Sequence, residues 1–174
     1  GGNLKKIEVS GGPVQTIAGA LQGLGGAWSR HGVIVFAPGL TGPLLQVPAS
    51  GGEPKLVTQI DASRREDTHR WPQFLPDGRR FLYFSRSSQA EHQGIYLGSL
   101  NSTETSLKEK RRLLAADSHA AYTGPDSGPG YLLFVRDRAL MAQPFDPAKL
   151  ELSGEAFPVA EPVLGPGAPD REVA

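Results

Sequence analysis

The sequence contains no cysteine, which removes disulfide scaffolds, thiolate nucleophiles and cysteine-ligated zinc together and leaves the redox compartment open. It has no run of about 18 apolar residues, so no helical membrane span is expected. Neither sign of charge is in excess, because 18 Lys and Arg balance 18 Asp and Glu. Without a basic surface there is nothing through which phosphates could release counterions, and nucleic acid is not an expected partner. The opening residues Gly1-Gly2-Asn3-Leu4-Lys5-Lys6 include no Met and lack the apolar core of a signal peptide. The start therefore reads as a cut edge inside a longer polypeptide.

Signatures of chemistry are missing as well. His31, His69, His92 and His119 occur singly, with no His-x-x-x-His pair and no acidic loop of the EF-hand kind, so they read as solvated or turn histidines, and neither a metal nor another cofactor is expected. There is no glycine-rich phosphate loop before a Val-Ala-x-Lys strand, no His-Arg-Asp and no Asp-Phe-Gly, which excludes kinase chemistry in this stretch. No Gly-x-Ser-x-Gly elbow exposes a serine; Ser29, Ser50, Ser118 and Ser127 fall in strand ends or turns. The neighbouring carboxylates Glu66 and Asp67 read as solubilising charge in a polar loop. The basic run Lys108-Glu109-Lys110-Arg111-Arg112 reads as a solvated hairpin loop. Asn101-Ser102-Thr103 fits a glycosylation acceptor, a pattern too short to weigh. No catalytic residue is expected.

What is present is repetition. With 22 Gly, 15 Pro and 39% hydrophobic residues, the chain has too many breakers for long helices and too much apolar matter for disorder. Leu4-Lys5-Lys6-Ile7-Glu8-Val9-Ser10-Gly11-Gly12-Pro13-Val14-Gln15-Thr16-Ile17 recurs as Leu44-Leu45-Gln46-Val47-Pro48-Ala49-Ser50-Gly51-Gly52-Glu53-Pro54-Lys55-Leu56-Val57, an alternating strand, a Gly-Gly turn and a second strand. A different unit, Trp28-Ser29-Arg30-His31-Gly32-Val33-Ile34-Val35-Phe36, matches Trp71 through Pro76-Asp77-Gly78 to Phe84, and again Tyr122 through Gly130 to Val135. Pro76-Asp77-Gly78 is turn chemistry: Pro sets φ at the first turn position and Gly accepts a positive φ.

Joined, the two units predict four strands per repeat. The clearest set is about Arg70–Phe74, Arg79–Ser85, Gly94–Leu100 and Arg111–Ala115. Gly32, Gly78 and Gly130 mark a spacing of roughly fifty residues, the length of one propeller blade. The third repeat ends in Leu140–Asp146 and Ala156–Ala160, joined by a loop carrying Asp146-Pro147 and Ser153-Gly154. A small sheet apolar on both sides must stack on copies of itself. The expected fold is all-β, a β-propeller fragment of about three and a half four-stranded antiparallel blades. Residues 1–18 supply the outer strand pair of a partial blade, 19–60, 61–116 and 117–160 one blade each, and 161–174 a Pro- and Gly-rich linker or tail. Trp28 and Trp71, at matching positions, are expected to pack between blades.

The stretch Trp71-Pro72-Gln73-Phe74-Leu75-Pro76-Asp77-Gly78-Arg79-Arg80-Phe81-Leu82-Tyr83-Phe84, followed by Gly94-Ile95-Tyr96-Leu97, resembles the aspartate-glycine repeat of TolB-like, WD40-like propellers. It is similar in particular to propellers that follow bacterial serine/threonine kinase domains. The resemblance covers about Leu4 to Ala160; the first repeat departs from it with Arg30-His31-Gly32 in place of Pro-Asp-Gly, and the third enlarges the turn to Pro125–Gly130. It implies a non-catalytic sensor or scaffold segment that binds a protein or small-molecule ligand, completed by further blades of the parent chain, on the extracytoplasmic or periplasmic side of a bacterial membrane. Two other readings stay open, the gating propeller of a prolyl-oligopeptidase-like hydrolase and a TolB-like periplasmic scaffold.

In such a blade the link from the outer strand to the next inner strand emerges at the same end as the link between the second and third strands. Those links are Ala18–Ala27, Gln59–Arg70 and Asp117–Ala121 of the first kind and Ser85–Gln93 of the second. Loops on a rigid scaffold are where recognition resides. The candidate binding residues are therefore Arg64, Arg65, Asp67, His69, Arg70, Arg86 and His92.

Overall fold

The computed structural model describes residues 2–101 and 110–160. The tail from 161 onward, Ser102 and Thr103 of the acceptor pattern, and Lys108 and Glu109 of the basic run lie outside the described residues. The fold is all-β. Its strands are β1 (Asn3–Lys6), β2 (Gln15–Gly19), β3 (Gly26–Trp28), β4 (Val33–Phe36), β5 (Leu45–Pro48) and β6 (Lys55–Leu56), then β7 (Glu66–Phe74), β8 (Arg80–Ser87), β9 (Gly94–Ser99) and β10 (Arg112–Leu114). The last group is β11 (Ala120–Thr123), β12 (Gly130–Arg136), β13 (Ala139–Asp146), β14 (Glu151–Leu152) and β15 (Phe157–Ala160). Single 3-10 turns at Ala62–Arg64 and Ala90–His92 are the helical elements among the described residues, and no helix there is long and apolar enough to cross a membrane.

The strands form separate antiparallel sheets in sequence order: the pair β1-β2, the meander β3-β4-β5-β6, the meander β7-β8-β9-β10, and β11-β12-β13-β14 with β15 also pairing β13. None of these sheets closes on itself. The connection expected between the last two strands of the third repeat is thus itself partly a strand, and the outer edge of β13 is shared by β14 and β15.

Period-2 alternation explains why the sheets stack. In β4, Ile34 and Phe36 join a core with Ile17, Ala18 and Val47 against β1-β2. Val35 and Ala37 point the other way, into a core with Val57, Phe81, Tyr83 and Tyr96. In β8, Phe81 and Tyr83 belong to that second core, while Leu82 and Phe84 enter a third with Ile95, Leu132, Phe134 and Phe145. Each middle sheet is thereby apolar on both sides and shares a core with each neighbour, every fully buried large side chain contributing about 1.5–3 kcal/mol.

The turns follow their glycines. Gly11-Gly12 and Gly51-Gly52 repeat one conformation, with φ of 90° and 125° in the first copy and 91° and 136° in the second. Gly78 and Gly32 have φ of 66° and 72°. Asp77 completes its turn by accepting the N–H groups of Arg79 and Arg80 at 2.8 and 2.9 Å. The two turns dock on each other, Ser29 Oγ donating to the Gly78 carbonyl and the His31 ring lying 3.0 Å from the Asp77 carbonyl. In the third repeat Gly128, at φ 101°, takes the positive angle and Gly130 opens the strand.

The structure corrects two expectations about the aromatic and loop positions. Trp71 packs on the third core, 5.6 Å from Phe84 between ring centroids, but Trp28 is 58% exposed. The segment Gln59–Arg70 is not all loop, because β7 already starts at Glu66. Its early start is secured by the preceding sheet: Gly42 donates to the Asp67 carbonyl at 2.8 Å, His69 N–H to the Gly42 carbonyl at 2.9 Å and Trp71 N–H to the Leu24 carbonyl at 3.0 Å.

Close packing also makes one glycine indispensable. A Cβ on Gly98 would overlap the ring of the fully buried Phe81. Gly98→Ala is expected to cost about 1–3 kcal/mol in chemical denaturation, whereas Gly19→Ala, whose methyl meets nothing within 4 Å, stays within about 0.5 kcal/mol.

Candidate functional site

The seven candidates divide between two sides of the β7-β8 hairpin. In β8, Phe84 looks toward the β11–β15 sheet and Tyr83 toward the β3–β6 sheet. Register pairs Arg70 with Phe84 and His69 with Ser85, so Arg70 and His69 lie on opposite sides.

On the side of Phe84, Asp67, Arg70 and Arg86 come together. Arg86 Nε donates to both carboxylate oxygens of Asp67 at 2.9 Å and its Nη2 to Oδ2. This fork geometry, which suits a planar carboxylate, raises Arg86 above the usual arginine range. Both side chains remain about half exposed. Arg70 has no share in that carboxylate. Its Nε is buried without a hydrogen-bond partner, and its guanidinium carbon lies 5.3 Å from the centroid of the Trp71 ring. Burial, then the neighbouring Arg86, pull it below the usual arginine range against the opposing attraction of Asp67.

A register shift between Arg70 and Gln73, with Trp71 at φ 52°, creates this arrangement. The irregularity breaks strict alternation, so that the consecutive residues Arg70 and Trp71 both reach toward the next sheet, where His119 stands 5.6 Å from the Trp71 ring.

The remaining candidates surround the same end. Arg64 closes the 3-10 turn and pairs with Asp61 at 3.3 Å, and Arg65, at φ 48°, is exposed. The carbonyls of both residues accept from the start of the β8-β9 link, from Ser87 Oγ and from Ser88 N–H. His92 lies farther along that link, its carbonyl accepting from Tyr96 at 2.8 Å. Among the described residues no contact joins its ring to the Asp67–Arg86 pair. Beside this link, a cleft of about 240 Å³ opens between Ala90, Gln93, Arg112, Asp117 and Arg136.

His69 is a correction. It is fully buried between the sheets and reaches no surface. Leu44 N–H donates to Thr58 Oγ1 at 2.8 Å, which leaves the hydroxyl proton for His69 Nδ1 at 2.9 Å and the His69 Nε2–H for Glu66 Oε2 at 3.2 Å. Glu66 Oε2 also accepts from Asp61 N–H at 2.8 Å and from Lys110 Nζ. Glu66 is thus no solubilising loop charge, and Lys110, 4% exposed in its side chain, is no solvated loop residue. Arg112 is likewise occupied, donating to the Ala90 and Glu91 carbonyls.

Burial pushes the Glu66 carboxyl up, but the donors His69, Lys110 and Asp61 N–H outweigh it and hold the group below its ordinary value. Burial lowers His69, and Glu66 opposes that only in part. The Thr58-His69-Glu66 chain has the connectivity of a nucleophile, base and orienting acid. It cannot act as one, because the His69 side chain is sealed from solvent and the Thr58 oxygen is engaged by the backbone.

Sequence reasoning missed the bonds that Thr58, Asp61 and Lys110 make around His69 and Glu66, and for Lys110 no local pattern would have found it, because it lies 44 residues from Glu66. Among the described residues no group of three or more His, Asp or Glu could hold a metal ion. The chain matches no protein-family model and no curated protein.

Proposed function

We propose that the chain is a segment of a β-propeller acting as a non-catalytic binding module, and that recognition takes place at the end of the sheets where β7 begins and β8 finishes. The observation that carries this reading is the alternation of β12. Leu132 and Phe134 fill the third core, while Tyr131, Leu133 and Val135, on the opposite side, stand in register with Pro144, Ala142 and Leu140. Tyr131 and Phe157 are each 44% exposed there. The middle sheets cover the equivalent side with another sheet, so further blades of the parent chain are the natural cover, arranged about a common axis with β7 innermost. The resemblance to TolB-like, WD40-like repeats beside bacterial kinases supports the same architecture and a sensor or scaffold role.

In that arrangement Asp67, Arg70 and Arg86 sit on the two inner strands, at the end where the β6-β7, β8-β9 and β10-β11 links converge. A thermal-shift screen of the protein against peptides and small molecules tests the reading. Ligands are expected whose stabilisation disappears in Asp67→Ala and Arg86→Ala and survives in Arg79→Ala, at the exposed opposite end. Without ligand, losing the exposed Asp67–Arg86 pair should cost no more than about 1 kcal/mol. A screen without ligands, or ligands indifferent to Asp67 and Arg86, would overturn the proposal.

A further inference from the structure

We infer that Arg70 is the anchor of a carboxylate-binding subsite, whose ligand presents one planar carboxylate to the Arg70 guanidinium beside Trp71. The inference rests on the binding reading above and assigns its ligand chemistry.

The local charge count favours an anion. Two guanidiniums, Arg70 and Arg86, lie beside one carboxylate, Asp67, and Arg86 takes both of its oxygens, so one positive charge is left over. Arg70 makes no ion pair among the described residues, and its buried Nε donates to nothing. The Nε is closed to solvent, so a ligand meets this partly buried, otherwise unpaired guanidinium at its terminal Nη1 and Nη2 groups. The protein has built the position with care. The register slip turns Arg70 and Trp71 to the same side, and the Trp71 ring supports the cation from one face.

The shape and charge of the gap select the ligand class. A guanidinium edge matches a carboxylate in a bidentate fork. One negative charge neutralises the excess, whereas a dianionic phosphate would overshoot it and face the Asp67 carboxylate. The aromatic wall of Trp71 and His119 favours a carboxylate carried on organic matter over a bare inorganic ion. The source is either an acidic peptide side chain or a free organic acid.

Titration calorimetry on the protein with three probes tests this: 3-phenylpropionate, the capped peptide acetyl-Ala-Glu-Ala-amide, and inorganic phosphate. At least one carboxylate probe is expected to bind more tightly than phosphate, and whether the acid or the peptide is tighter identifies the source. Arg70→Met, which keeps an unbranched stem on Trp71, should weaken that binding by about tenfold or more, while Arg79→Ala leaves it unchanged. If Arg70→Met fails to fold, the Arg70 Nε–H resonance of the unmodified protein serves instead, and it should shift on saturation with the carboxylate probe. Equal affinity in Arg70→Met, an unmoved Nε–H resonance, or a preference for phosphate would overturn the inference. Screen ligands that depend on Asp67 and Arg86 but carry no carboxylate would sink this subsite and leave the binding module standing.

Discussion

Glu66→Ala will lower the unfolding free energy by about 3–5 kcal/mol. The substitution strands Lys110, 4% exposed in its side chain, without a counter-charge, and it takes the acceptor from His69 Nε2 and from Asp61 N–H. The unpaired buried cation is the largest part of that cost, so an apolar replacement of both partners, Glu66→Leu with Lys110→Met, should recover that part, while His69 Nε2 and Asp61 N–H stay without their acceptor. Equilibrium denaturation in urea decides the matter. A double variant no more stable than Glu66→Ala would show that the pair is not the source of the loss.

The same cluster sets the direction of the pH response. His69 is held below the ordinary histidine value of 6.5, so under acid conditions the unfolded chain takes up a proton that the native state refuses. Stability then falls as pH drops below 6.5, by at most about 1.4 kcal/mol per unit for one proton. Glu66, held below its ordinary 4.5, stays ionised in the native state where the unfolded chain is protonated. Its contribution is complete above 4.5 and is lost as pH falls through the native value. Both groups therefore weaken the protein in acid, His69 first. His69→Gln should flatten the melting-temperature profile just below pH 6.5 and leave the steeper loss below 4.5 in place. A profile unchanged by His69→Gln would contradict the burial assigned to this ring.

The second large effect separates two residues that the sequence makes look alike. Trp71→Ala should cost about 3 kcal/mol or more, because Trp71 packs on the third core against Phe84 and His119. Trp28→Ala, at a site 58% exposed, should change stability by about 0.5 kcal/mol or less. Thermal and urea unfolding of the two single variants makes the comparison. Equal losses would mean that the matched repeat position, and not the local packing, governs both.

These residues show how far the chain could be read unaided. The continuous apolar runs Val33–Phe36 and Phe81–Phe84 predicted strands apolar on both sides, and the structure places them between cores on either side. Gly-Gly and Asp-Gly predicted the turns, because positive φ is a local demand that glycine meets most cheaply. The candidate site was legible only in part. Asp67, Arg70 and Arg86 do meet at one end of the β7-β8 hairpin, since meander topology sends the charged links there. His69 was misplaced because β7 starts earlier than the charge-rich sequence suggests, drawn into strand conformation by its hydrogen bonds to Gly42. Trp28 was misplaced because a repeat equates positions and not their neighbours.

The sequence alone determined the unit: short antiparallel strands, tight glycine turns, no cysteine chemistry and two apolar sides that force one sheet against the next. All of these depend on residues a few positions apart. Tertiary structure alone decided that Lys110 closes on Glu66 across 44 residues, that Thr58 meets His69, and that a slip in β7 sets Arg70 beside Trp71 while Arg86 keeps Asp67. Which sheet supplies a partner, and where a strand slips by a residue, follow from the free energy of the whole stack and are written in no local pattern.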